Sequence, residues 1–205
     1  MTATDHALFS LCGGHAALDF VNSLDDRFGA PGPVERLADY RTLLRFAVAT
    51  GLLDAGRARR LARLGPGAAG RAMRAARELR EALAAALYAW VDGHAAPRKA
   101  LRVIERHLQR AGRHRELRWE RPRPGQALSW DWARGNEAEL PVWLLVQSAA
   151  ELFTSGSMQQ VRACDADTCR WLFLDTSRNH TRRWCDMKVC GNRMKARRFQ
   201  ARHET

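Results

Sequence analysis

Through most of the first 160 residues, apolar side chains recur every three to four positions, the spacing that turns one face of an α-helix toward a core. Leu18 and Val21 mark a short amphipathic helix over 15–24, and Pro31-Gly32-Pro33 breaks it. Leu37, Leu44 and Val48 predict a second helix over 34–50, closed by Gly51. Asp54 caps a short Arg-rich helix that stops at Gly65-Pro66-Gly67. The longest pattern covers 68–91, with Met73, Leu79, Leu83, Leu87 and Trp90 on the buried stripe and Glu78, Arg80 and Glu81 outside it. A helix over 98–111 faces Leu101, Ile104 and Leu108 inward, and a last apolar helix covers 137–153.

The period departs from helical in three places. Leu8-Phe9-Ser10-Leu11 reads as a short strand or an extended segment. Over 116–132, Leu117/Trp119 and Leu128/Trp130/Trp132 alternate about a proline-stiffened turn ending at Gly125, which predicts a β-hairpin. Beyond 157, Trp171 to Asp175 alternates like a strand, 181–185 returns as its partner, and the chain finishes as a helix. The predicted fold class is therefore mainly α. A helical domain over 1–157 with one small β-hairpin precedes a small treble-clef-like module over 158–205, built of a knuckle, a β-hairpin and a helix.

Composition bounds this picture. The chain has 205 residues, 46% hydrophobic and 27% charged, which is globular and too apolar for a disordered polymer. It holds no apolar run long enough for a membrane span and no basic, apolar leader at its start, so the expected location is the cytoplasm. The net charge of +12 needs a map rather than a total. Of 34 basic residues 31 are arginine, a skew that a GC-rich coding sequence produces unaided. Over 176–203, however, nine basic residues face a single acid, Asp186, a surplus of +8 that leaves only +4 for everything else. A stripe so concentrated suggests a polyanion-binding surface, most often for nucleic acid.

Four of five cysteines fall in the same segment. Cys164 and Cys169 form C-x4-C, Cys185 and Cys190 form another, and 15 residues separate the pairs. Without an export signal, two such pairs read as four thiolates around one structural Zn2+, against two disulfides or an iron–sulfur cluster. Cys12 reads as a small buried side chain. His180 and His203 are alternative ligands, but four thiolates already fill a tetrahedral shell. That shell keeps no open position for water or substrate, and no Gly-rich phosphate loop, H-E-x-x-H or G-x-S-x-G occurs, so no enzyme is expected.

Along the final helix, Asn192, Ala196, Phe199 and His203 project on one face, expected to pack on Trp171, Phe173 or Trp184. The candidate nucleic-acid contacts are Arg178, Arg182, Arg183, Lys188, Asn192, Arg193, Lys195, Arg197, Arg198 and Arg202. Arg57, Arg59, Arg60 and Arg63 form a further basic face, read as solvated surface or as extra phosphate contact. His15, Asp19 and Asn22 share one helix face and form either a small polar pocket or ordinary capping and surface polarity.

Cys190-Gly191-Asn192-Arg193, preceded by Phe173, Asp175, Ser177, Asn179 and Arg183-Trp184-Cys185-Asp186-Met187, resembles the CGNR zinc finger proteins. Leu18-Asp19-Phe20-Val21-Asn22-Ser23 is similar to the opening motif of the ABATE-type domain that accompanies that finger. The resemblance implies a bacterial, stress-related transcription regulator with Cys164, Cys169, Cys185 and Cys190 as zinc ligands and Asp175, Ser177 and Asn179 in a turn. The leading expectation is thus a zinc-dependent DNA-binding regulator whose helical domain senses a small-molecule effector or joins two copies. An RNA-binding or ribosome-associated protein, or a zinc module for protein–protein contact, are the alternatives.

Overall fold

The computed structural model describes residues 9–29, 32–123, 126–132 and 137–203. Leu8, Pro31 and the hairpin turn at Pro124 and Gly125, singled out above, lie outside the described residues. Helix α1 (Ala16–Asn22) comes first, followed by two-residue strands β1 (Leu24–Asp25) and β2 (Val34–Glu35). Helices α2 (Tyr40–Ala49), α3 (Ala55–Leu61), α4 (Pro66–Val91) and α5 (Arg98–Gly112) then lead to the antiparallel hairpin β3 (Arg115–Arg123) and β4 (Gln126–Trp132). A 3-10 turn, Glu137–Glu139, opens α6 (Leu140–Thr154). The remainder comprises β5 (Val161–Ala163), β6 (Leu172–Leu174), a single π-turn (Met187–Gly191) and α7 (Asn192–His203).

The long α4 is the spine, with α1, α2, α5 and α6 packed against it. Leu79, Leu83 and Leu87 on α4, Leu18, Phe20 and Val21 on α1, and Trp143, Leu145 and Val146 on α6 are all buried in one apolar core. Helix starts follow local chemistry. Asp39 accepts from the Thr42 N–H and Asp54 from the Arg57 N–H, each carboxylate satisfying an otherwise orphaned donor and favouring the positive helix end.

Four expectations need correction. The second helix starts at Tyr40, not at 34, because Val34 and Glu35 pair with Asp25 and Leu24 and Asp39 caps the turn beyond them. For the same reason α1 ends at Asn22. Trp90 and Leu101 are exposed, since α5 meets the body through Ala100, Ile104, His107 and Ala111 and Trp90 reaches sideways to donate to the Met158 carbonyl. Arg80, assigned to the polar face, is only 3% exposed, clasped by both oxygens of Glu35 at 2.7 Å and by Ser23.

The C-terminal module also departs from its expected hairpin. Residues 181–185 form no strand; β6 pairs instead with β5, in the register Val161↔Leu174 and Ala163↔Leu172. The segment 181–185 is held by side chains, with the buried Asp175 carboxylate accepting from the Arg182 N–H at 3.0 Å. Strand β6 serves two clusters at once. Leu172 and Leu174 belong to the helical core, and Phe173 on the opposite face packs on the cysteines.

Candidate metal centre and nucleic-acid interface

The backbone between Ala163 and Trp171 makes a tight knuckle. Cys164 N–H donates to the Trp171 carbonyl at 2.9 Å, and Cys169 N–H to that of Ala166 at 2.9 Å. Arg170 takes a positive φ of 53° to complete the turn. Cys185 arrives from the other side, anchored where Asp165 N–H donates to Arg183 O, and Cys190 is delivered by the π-turn that Asp186 caps through the Lys188 and Val189 N–H groups. The four Sγ atoms converge within 4.8 Å of one another. Cys169 and Cys185 are 3.6 Å apart, Cys185 and Cys190 3.7 Å. A zinc tetrahedron with bonds of about 2.3 Å has edges of about 3.8 Å, so the donor spacing fits the metal.

The thiols compete for one another's protons. Hydrogen bonds from Cys169 and Cys185 pull Cys164 down to about 2, whereas the bond with Cys164 pushes Cys169 up. One divalent cation resolves that competition by taking all four as thiolates, and four ligands close its shell as in structural zinc sites. Zinc is thus the cofactor, held by Cys164, Cys169, Cys185 and Cys190. Cys12 packs on this cluster from the N-terminal side, half-buried, as a fifth thiol beside a filled shell.

Each position of Cys190-Gly191-Asn192-Arg193 has a physical task. A Cβ at Gly191 would collide with Sδ of Met187 and only touch the Trp184 ring at 3.5 Å; its φ is not positive, so the approach of Met187 rather than backbone freedom explains it. Asn192 donates back to the Lys188 carbonyl at 3.1 Å. Arg193 bonds Thr168 Oγ1 at 2.9 Å and approaches Cys190 Sγ at 3.8 Å, setting a cation against a centre of formal charge −2. Asp175 holds the neighbouring turn: burial opposes its ionisation, but donors on Ser177 and Arg182 outweigh that and keep its carboxyl below the usual range. His180 Nδ1 contacts the Asp175 carbonyl at 3.1 Å, and His180 lies outside the cysteine cluster.

Helix α7 packs differently from its projected face. Asn192, Ala196 and Phe199 are exposed, Phe199 by 63%, and contact with the cysteine cluster comes through Met194; the side chain of His203 lies outside the described residues.

The ten candidate contacts separate by what already holds them. Arg182 is committed to the scaffold: its guanidinium donates to the Trp184 and Cys185 carbonyls and lies 4.5 Å from the Phe173 ring centre. Arg183 pairs with Asp165 at 2.7 Å, Arg197 with Asp167 at 3.0 Å, and Arg193 with Thr168, so three arginines bind finger and knuckle together. Arg178, Lys188, Lys195, Arg198 and Arg202 are exposed and make no ion pair among the described residues. Lys195, Arg198 and Arg202 follow one another at helical spacing.

The N-terminal trio divides. Asp19 and Asn22 line a cleft of about 170 Å3 with Ser10, Arg36 and Trp171, whereas His15 caps α1 through its ring nitrogen and stands outside that cleft. Asp19 is buried, which raises its carboxyl to about 7 against the pull of the Gly13 N–H at 2.7 Å. That contact requires glycine, because a Cβ at 13 would meet the same oxygen at 2.7 Å. Asn22 acts as a substitute strand: its amide donates to Leu172 O at 2.9 Å and accepts from Leu172 N–H at 2.8 Å.

Sequence reasoning missed this junction. Trp171 Nε1 donates to Asp25 at 2.9 Å, Leu174 N–H to Gly13 O at 2.8 Å, and the Tyr88 hydroxyl to Arg170 O at 3.0 Å. These partners are 82 to 160 or so residues apart, beyond any local pattern; the one signal was a polar Asp and Asn inside the otherwise apolar 18–22.

Two family models match. The CGNR zinc finger covers residues 160–203, and ABATE, described as "Putative stress-induced transcription regulator", covers 14–156. No curated protein matches the chain. No described helix is long and apolar enough to cross a membrane. The chain therefore belongs to the ABATE family and carries a CGNR zinc finger over 160–203.

Proposed function

We propose that this is a non-enzymatic, zinc-dependent DNA-binding transcription regulator, in which the finger over 158–205 contacts duplex DNA and the helical domain over 1–157 regulates it or joins two copies. The observation that carries the reading is the partition of the finger's cations. Three arginines are tied to the knuckle, while Arg178, Lys188, Lys195, Arg198 and Arg202 remain exposed without an ion pair among the described residues. A cation without an acid beside it is free to displace counterions from phosphate, and a rigid metal-held base fixes where it points. Asn192 and Arg193 sit where the helix leaves the metal and orient that surface.

Selection of bound sequences from random duplex DNA, using the zinc-loaded full chain, tests the proposal. Enrichment of a motif that single-stranded RNA does not compete away is the expected result. Preferential capture by RNA, or no retention on either at low salt, contradicts it.

A further inference from the structure

Four large apolar side chains on the β3–β4 hairpin face solvent: Leu117 is 58% exposed, Trp119 72%, Leu128 47% and Trp130 58%. They are cross-strand neighbours in two adjacent rows, Leu117 opposite Trp130 and Trp119 opposite Leu128. The hairpin's root is fixed to the body, for Trp132 on the same face stacks on buried Trp143 at 5.8 Å, itself stacked by His114 at 4.3 Å. The other face is polar and tied down: Asp131 pairs with Arg118 at 2.5 Å and with Arg57 of α3 at 3.3 Å. The apolar side is therefore an exposed surface on an anchored arm.

We propose that this face is the contact between two copies of the chain. Its pattern is a chequerboard, each tryptophan flanked across the strand and along it by a leucine. Turned over about a two-fold axis in its own plane, along or across the strands, such a patch lays every tryptophan over a leucine. It is self-complementary in size, as an isologous interface must be. The exposed parts of the four side chains amount to about 500 Å2, within the size range of the largest apolar patch of a monomer, which is often functional. Two copies would remove about 1,000 Å2 from water, the lower limit for a specific interface. Among the described side chains charge does not oppose the fit, because Arg115 is folded over the Trp130 ring at 4.6 Å and Arg118 is neutralised by Asp131 on the far face. Exposed tryptophans are the residue type that carries binding energy at interface centres. This contact is independent of the nucleic-acid reading.

Sedimentation of the zinc-loaded full chain from about 1 to 100 μM tests it, that range spanning the affinity expected of so small an interface. The result expected is a species of twice 23.1 kDa that dissociates on dilution. Trp119→Glu and Leu128→Glu should each weaken association by about 100-fold, and the milder Trp119→Ala by about tenfold, with zinc content and helical circular dichroism unchanged. A chain that stays monomeric to the top of the range, or a dimer indifferent to all three substitutions, overturns the proposal. So does a monomer that loses single-stranded nucleic-acid binding with Trp119→Glu, which assigns the face to base stacking.

Discussion

The helical body buries leucines, phenylalanines and Trp143 in one contiguous core, whereas the finger's own cluster buries Cys164, Cys185, Cys190, Ala166 and Phe173. Residues 176–203, the last part of the finger, carry a surplus of +8, and everything else together only +4. One region is held by apolar area, which grows with chain length; the other is too short for that and relies on a metal, side-chain hydrogen bonds and a strand lent to its neighbour. The lesson is that size decides the means of cohesion. A further lesson is that β6 makes the two regions mechanically continuous, since alternate residues of three belong to different cores.

The largest test separates the regions by metal. Structural zinc is worth about 10 kcal/mol or more to so small a module, so chelation, or Cys185→Ser, should abolish hydrogen-exchange protection over 164–203 while α4 and α6 stay protected. Simultaneous loss of both would show that the body has no stability of its own.

Next in size is Arg80→Ala, which removes the bidentate partner of Glu35 and leaves it the Leu37 N–H and Arg77 at 3.7 Å. A cost of about 3–5 kcal/mol in urea unfolding is expected, with zinc stoichiometry unchanged. Zinc loss in that variant would blur the comparison.

Asp19 gives a pH signature. Its carboxyl ionises at about 7 in the folded protein against 3.8 as the ordinary value, so between those values the folded state holds the extra proton. Its contribution is therefore full below pH 4 and declines as pH rises through 7, by up to about 4 kcal/mol. The stability difference between Asp19→Asn and the parent should grow in the variant's favour from pH 5 to 8; a constant difference would contradict the burial argument.

The smallest of these effects probes the junction. Asn22→Ala leaves the Leu172 N–H and C=O without their partner, at about 2–3 kcal/mol, and should raise exchange at β6 before it affects α4. Uniform acceleration would mean that the bond serves the body alone.

Periodicity made the helices, the hairpin and the cysteine ligands legible, because each rests on local spacing. It failed where a residue's environment is set from afar. Arg80 lies between Glu78 and Glu81 on a face that reads as polar, yet it is buried and clasped by Glu35, 45 residues away. Local alternation predicts the finger's strand pairing within 171–185, whereas the partner of β6 precedes the first cysteine. The basic residues were visible as a stripe, but only geometry distinguishes Arg182, spent on carbonyls, from Lys195, Arg198 and Arg202.

The central claim, that the zinc-held finger presents exposed cations to DNA, is tested most directly by affinity for duplex DNA measured against salt between about 50 and 200 mM. The zinc-loaded chain should show a steep linear fall of log affinity with log salt, and Lys195→Ala/Arg198→Ala/Arg202→Ala should reduce that slope by about 3. A flat response, or a slope that the triple variant leaves unchanged, would contradict the account.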